Sequence, residues 1–278
     1  MSRRLRLDAE LVRRGLARSR EHASELIAAG RVNVAGTVAT KPATAVGTDV
    51  ALVVLGDTGK SDYVSRGGHK LAGALDIFGP QGLRVTARRC LDAGASTGGF
   101  TDVLLRHEAR EVVAVDVGYG QLAWSLRQDP RVKVHDRTNI RDLTATAIGG
   151  TVDLVVGDLS FISLKLVLAA LVGVVAPAGD LCLMVKPQFE VGKGKVGKGG
   201  VVRDVGLRTG AVAAVASAAG DVGWGAHAVT TSPLPGPAGN VEYFLWLRAG
   251  DPTVSEQQIG EEVRRTASLG VGGEKVEP

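Results

Sequence analysis

Apolar positions follow two regimes along the chain. Between residues 64 and 248, short runs of Val, Leu, Ile and Ala alternate with stretches of helical spacing. The runs at 89–92, 111–116, 132–135, 152–156, 180–185, 225–231 and 243–247 read as strands, and 67–78, 101–106 and 119–128 as helices. Strand and helix in alternation predict an α/β fold: a Rossmann-like, seven-stranded, mostly parallel sheet with helices on both faces. The Pro/Gly loop at 232–237 favours an antiparallel final strand.

Residues 1–55 have a shorter rhythm. Asp8 is the expected cap of a helix carrying Leu11, Val12 and Leu16 that ends near Gly15. Ser19 caps a second, with Ala23, Leu26 and Ile27 on one face and Gly30 as its stop. Residues 31–34 and 51–54 read as strands around a turn at Gly36. This gives a small α+β domain over 1–58, a linker over 59–65, a larger domain over 66–250 and an acidic, solvated helix and tail over 251–278.

Composition narrows the classes. Two cysteines, Cys90 and Cys182, in apolar runs exclude a disulfide framework and a Cys-rich metal site. No His/Asp/Glu cluster has ligand spacing, so no metal is expected. The longest uncharged apolar stretch, 166–179, is too short to span a bilayer and contains Pro177, and no apolar segment follows the basic N-terminus. A cytoplasmic chain without a membrane partner is the expectation, and a monomer is compatible with the pattern. Residues 1–31 hold eight Arg against four acids, which points to a polyanion partner. Trp124 and Trp246 are expected in the core.

Asp92-Ala93-Gly94-Ala95-Ser96-Thr97-Gly98-Gly99-Phe100 runs from a strand through a glycine-rich turn into a helix. Its spacing differs from the dinucleotide pattern, and an acid in the turn disfavours a pyrophosphate. Asp116 ends the next strand, placed to accept ribose hydroxyls, and Asp136 follows the third, within reach of a base. A nucleoside cofactor fits better than a dinucleotide. Asp158 and Lys186 leave two further strands, Glu242 opens the last one, and Lys70 lies on the helix at 67–78. In an open α/β sheet, Asp158 and Lys186 share the crevice with the cofactor.

These stretches, with Asp116-Val117-Gly118-Tyr119, Asp158-Leu159-Ser160-Phe161, Lys186-Pro187-Gln188-Phe189 and Gly239-Asn240-Val241-Glu242, resemble the TlyA family. Its members are rRNA cytidine-2′-O-methyltransferases related to FtsJ-type enzymes. The resemblance implies S-adenosylmethionine (SAM) as methyl donor and a catalytic tetrad of Lys70, Asp158, Lys186 and Glu242. It places Asp92, Gly94, Ala95, Ser96, Thr97, Gly98, Gly99, Phe100, Asp116, Asp136 and Phe161 at the cofactor. Residues 5–52 resemble an S4 RNA-binding module, so Arg4, Arg6, Arg18, Arg20 and Lys41 are its candidate RNA contacts, joined by Arg66 and Arg137 near the crevice. The implied partners are 16S and/or 23S rRNA in the 30S and/or 50S subunits, with a link to sensitivity to ribosome-targeting antibiotics. Where relatives carry Arg and Trp in the linker, this chain has Ser61 and Tyr63.

A ribose 2′-hydroxyl must lose its proton as it attacks a sulfonium methyl. A desolvated lysine takes that proton or, still charged, stabilises the developing alkoxide. Lys186 is expected in this role. The other readings are a membrane-active protein, since the family name derives from haemolysis, and a non-catalytic S4-type ribosome-binding factor.

Overall fold

The computed structural model describes residues 4–17, 19–48, 50–54 and 63–266. The chain divides into two compact units, Met1–Ser65 and Arg66–Pro278. The expected linker falls largely outside the described residues, as do Arg18 and Ser61.

The first unit contains β1 (Arg4–Arg6), α1 (Leu7–Arg13), α2 (Arg20–Ala28), β2 (Val32–Val34), β3 (Thr37–Val38), β4 (Ala45–Gly47) and β5 (Leu52–Val54). Leu7, Leu11, Ala23, Leu26, Ile27, Val32 and Val46 form its core. Ser19 caps α2 as expected, its hydroxyl accepting from the His22 N–H at 3.1 Å. Asp8 does not cap α1. The helix starts at Leu7, with Arg6 in the cap position, and Asp8 sits in its first turn, taking the Ala9 N–H and the Arg6 and Arg20 guanidiniums. Gly36 turns β2 into β3, a two-residue strand the pattern did not reveal, while β5 pairs with the other edge of β2. The short β1–β4 pair also escaped the pattern, because three residues carry too little alternation to read.

The second unit runs α3 (Gly67–Phe78), β6 (Arg89–Ala93), α4 (Gly99–Arg106), β7 (Glu111–Val115), α5 (Trp124–Arg127), β8 (Val132–His135), β9 (Val152–Gly157), α6 (Leu168–Val174), β10 (Val175–Val185), α7 (Pro187–Glu190), α8 (Val205–Gly220), β11 (Trp224–Thr231), β12 (Tyr243–Ala249) and α9 (Glu256–Arg265). Seven strands form one sheet in the order β11-β12-β10-β9-β6-β7-β8. All are parallel except β12, which runs antiparallel to β10 and β11. This is the α/β sheet read from the sequence. Its central strands are hydrophobic on both faces because helices cover both.

Three expectations need correction. The helix over 119–128 shrinks to α5, because Asp116 and Asp136 draw the Gly118 and Gly120 amides into turns. β10 begins five residues before the expected start, through a register irregularity that accommodates Pro177. The acidic α9 is not a free solvated helix: Ile259 and Val263 join the main core against α8 and β11.

Candidate active site

Strand order changes direction between β6 and β9, so a crevice opens at their carboxyl ends. After β6, the Gly94 and Ala95 N–H groups both donate to the Val115 carbonyl, curling the turn over the end of β7. Gly94 has φ +85°, and a Cβ there would stand 3.1 Å from the Asp158 carbonyl and from Leu159 Cδ2. Gly98 has φ +98°, and a Cβ would run into Leu122 and Leu126, which seal the turn from above. Only glycine satisfies both the backbone and the space at these positions.

Asp116 clamps this turn to the next one. Its Oδ2 accepts from the Ser96 N–H at 2.8 Å and its Oδ1 from the Gly118 N–H at 2.7 Å. Asp136 pairs with Arg127 at 2.7 Å, and that guanidinium holds its carboxyl below the usual range. Ser96 and Thr97 are exposed, while Ala95, Gly98 and Gly99 are buried. Two residues expected at the cofactor lie behind the turn instead. Asp92 is fully buried and ties β6 to α4 by accepting from Thr101 Oγ1 at 2.7 Å. Phe100 is buried and stacks on Phe244, with ring centroids 6.0 Å apart. Both point inward because strand alternation and the first turn of α4 aim them at the core.

The four charged candidates reach the same end of the sheet. Register pairs Leu183 with Gly157 and Val185 with Tyr243, which brings the exits of β9 and β10 beside the start of β12. The residues form two lysine–carboxylate pairs. Lys70 donates to Glu242 Oε2 at 2.5 Å, with both side chains buried. Lys186 Nζ lies 2.5 Å from Asp158 Oδ1, but its directed hydrogen bond goes to Ser160 Oγ at 2.8 Å. The Lys70–Glu242 pair holds its geometry because separating either partner leaves a buried charge, whereas Asp158 is only partly buried. Ser160 and Gln188, which donates to Glu242 Oε1 at 3.4 Å, were missed as site residues. Both stand two positions after one of the four charged candidates, inside motifs already singled out.

An aromatic rim surrounds this end. Phe161, with φ +63° and 92% exposed, lies 5.3 Å from the Phe189 ring. Tyr119 is exposed with the Arg137 guanidinium 4.3 Å above its ring. Trp124 is 72% exposed, contrary to its expected place in the core; Trp246 is buried as expected. The difference lies with Leu122 and Leu126, which take the inward face of that segment and leave Trp124 outside. Arg66 donates to the Pro235 carbonyl in the loop before Glu242.

In the first unit, Arg6 and Arg20 converge on the buried Asp8, at 2.9 and 3.0 Å, and Arg6 holds that carboxyl down at about 2. Arg4 and Lys41 are exposed, and Arg18 lies outside the described residues.

The sequence pattern of FtsJ-like methyltransferases matches residues 63–249, and that of the S4 domain matches residues 5–50. The 16S/23S rRNA (cytidine-2′-O)-methyltransferase TlyA of Mycobacterium tuberculosis strain H37Rv is 60% identical over 271 residues, covering 97% of this chain and 100% of that one. The chain belongs to the TlyA family of FtsJ-like methyltransferases. Other TlyA-like proteins carry a different name. Hemolysin A of Brachyspira hyodysenteriae is 38% identical over 86% of this chain and 98% of its own. A solved structure named as a hemolysin from Streptococcus thermophilus superposes with a TM-score of 0.76 at 35% identity, covering 97% of this chain and 98% of that one. Among the described residues of this TlyA-family chain, no helix is long and apolar enough to cross a membrane.

The turn fits a nucleoside-bearing methyl donor. Asp116 follows β7 with lone pairs left over for hydroxyl groups, next to the exposed Ser96 and Thr97 of the turn.

Proposed function

We propose that this chain transfers a methyl group from SAM to the 2′-hydroxyl of a cytidine in ribosomal RNA, with Lys186 managing the hydroxyl proton. What supports the reading is the pair of lysine–carboxylate contacts at the carboxyl end of the sheet, in a chain so similar to an rRNA cytidine-2′-O-methyltransferase. When bound, SAM supplies an electrophilic methyl group. The turn at 94–99, Asp116 and Asp136 are the residues that hold it.

Asp158 and Ser160 fix the Lys186 Nζ from two sides, so the lone pair of the neutral amine, or the charge of the ammonium, is aimed rather than mobile. As the neutral amine, Lys186 takes the proton that leaves the ribose hydroxyl; as the ammonium, it stabilises the developing alkoxide while that proton passes to solvent water. Glu242, steadied by Lys70 and Gln188, receives the ribose. A ribose inside a folded RNA is shielded, so the target nucleotide leaves its stack, and the exposed Phe161 ring offers its base a face. Phe161 therefore belongs to the RNA rather than to the cofactor. The S4 unit docks on the RNA through Arg4, Arg6, Arg18, Arg20 and Lys41, while Arg66 and Arg137 guide the strand inward. Ribosomal subunits as substrate place the enzyme in the cytoplasm.

Transfer of tritiated methyl from SAM to 30S and 50S subunits lacking the modification tests this. Lys186→Ala is expected to lower turnover about 10²-fold or more, with SAM affinity within about twofold by calorimetry. Undiminished turnover in that variant removes Lys186 from the reaction.

A further inference from the structure

Residues 191–203, Val-Gly-Lys-Gly-Lys-Val-Gly-Lys-Gly-Gly-Val-Val-Arg, carry four basic residues and no acid. The acids at both borders are already engaged. Glu190 accepts from Ser163 Oγ and the Leu164 N–H, and Asp204 caps α8 through the Leu207 N–H at 2.7 Å. Lys195, Lys198 and Arg203 are exposed, and among the described residues Lys195 and Lys198 enter no ion pair. The segment is nonetheless a shaped loop. Its start follows α7 directly after Lys186. Its end is stapled by Asn240, buried to 2%, which accepts from the Val202 N–H at 2.9 Å and donates to the Gly200 carbonyl at 2.8 Å. Asn240 stands two residues before Glu242, so the two segments that moor the loop also carry two of the tetrad residues.

A solvated charge run with no function needs no buried amide to hold its backbone, and a buried polar side chain left unmatched would be costly. We infer that the 191–203 loop is a contact for the phosphate backbone of the substrate RNA on the catalytic unit, made through Lys195 and Lys198. The inference rests on the proposed rRNA methyltransferase reading and adds a second anchoring surface to that of the S4 unit. Glycines separate the lysines, so the chain can follow a backbone whose bases are not read. The loop positions RNA and does not touch the reacting atoms, so it acts on KM rather than on kcat.

The test uses the full chain with Lys195→Ala and Lys198→Ala combined, measured on protein-free 16S and 23S rRNA and on whole subunits. Each lost phosphate contact flattens the log–log salt dependence of binding by about 0.7–0.9. The double variant should therefore bind protein-free rRNA on the order of ten-fold more weakly at physiological salt. KM for RNA should rise to match, with kcat and SAM affinity unchanged. An unchanged salt slope overturns the proposal, as does a loss seen only on subunits, which would make the loop a ribosomal-protein contact. If the intact chain methylates no rRNA, the functional reading itself fails. An active intact chain with an indistinguishable double variant overturns the loop alone.

Discussion

Burial raises the Asp92 carboxyl to about 7, against the opposing pull of its hydrogen bond from Thr101. In the unfolded chain the group ionises near its ordinary value of about 4. Between those values the folded protein keeps a proton that the unfolded chain has released. The stability contributed is full below about pH 4 and is lost as pH rises toward 7. Asp8 has the opposite sign: Arg6 holds it at about 2, so its contribution stands above about pH 4 and is lost on acidification. Asp92→Asn keeps an acceptor for Thr101 Oγ1 and puts an amide where Oδ1 lies buried without a partner. Urea unfolding at about pH 5 and about pH 8 should show the variant losing less stability with rising pH than the parent, by a few kcal/mol at most. An identical fall in both proteins would mean that Asp92 is already ionised when folded.

At the level of elements, α9 shows how composition misleads. Its acids suggest a solvated helix, yet Ser255 and Gln258 form a capping box, and Ile259 and Val263, four residues apart, share one face sunk in the core. Glu262, counted among the solvated acids, accepts from the N–H and hydroxyl of Thr231 at 2.8 and 2.9 Å. That partner lies 31 residues away, beyond the reach of any local pattern. Ile259→Ala should cost about 2–5 kcal/mol and shift the urea midpoint without altering the slope; a cost under about 0.5 kcal/mol would return α9 to the surface. The parallel strands were legible because they are buried on both faces and read as apolar runs. The segment at 119–123 was not, because Leu122 and Leu126 keep helical spacing while two aspartates pull glycine amides out of the helix. At the site, Asp158, Lys186 and Glu242 stood out because each adjoins a strand end, whereas Lys70 lies on α3. The contacts of Asp158 with Lys186 and of Glu242 with Lys70 depend on the register of β10 against β9 and β12, which no local pattern carries.

For the whole molecule, charge and core are divided unequally between the two units. Residues 1–65 hold ten Lys and Arg against seven Asp and Glu, leaving the larger unit close to neutral despite its basic loop. The larger unit has its own continuous core from Leu91 to Val263 and contains every side chain of both lysine–carboxylate pairs. Both lysine–carboxylate pairs and the turn at 94–99 thus lie within the larger unit, whereas most of the excess positive charge lies in the first. A chain of residues 63–278 should fold cooperatively and bind SAM with an affinity within about threefold of the parent. Its kcat/KM on ribosomal subunits should fall about 10²-fold or more, through KM, because removing several phosphate contacts weakens docking at physiological salt. Lowering the salt should recover part of that loss, since the remaining lysines and arginines of the catalytic unit then act over a longer screening length. A truncated chain with the parent's KM would mean that the S4 unit docks on something other than the substrate, and one that loses SAM as well would mean that the turn at 94–99 depends on it.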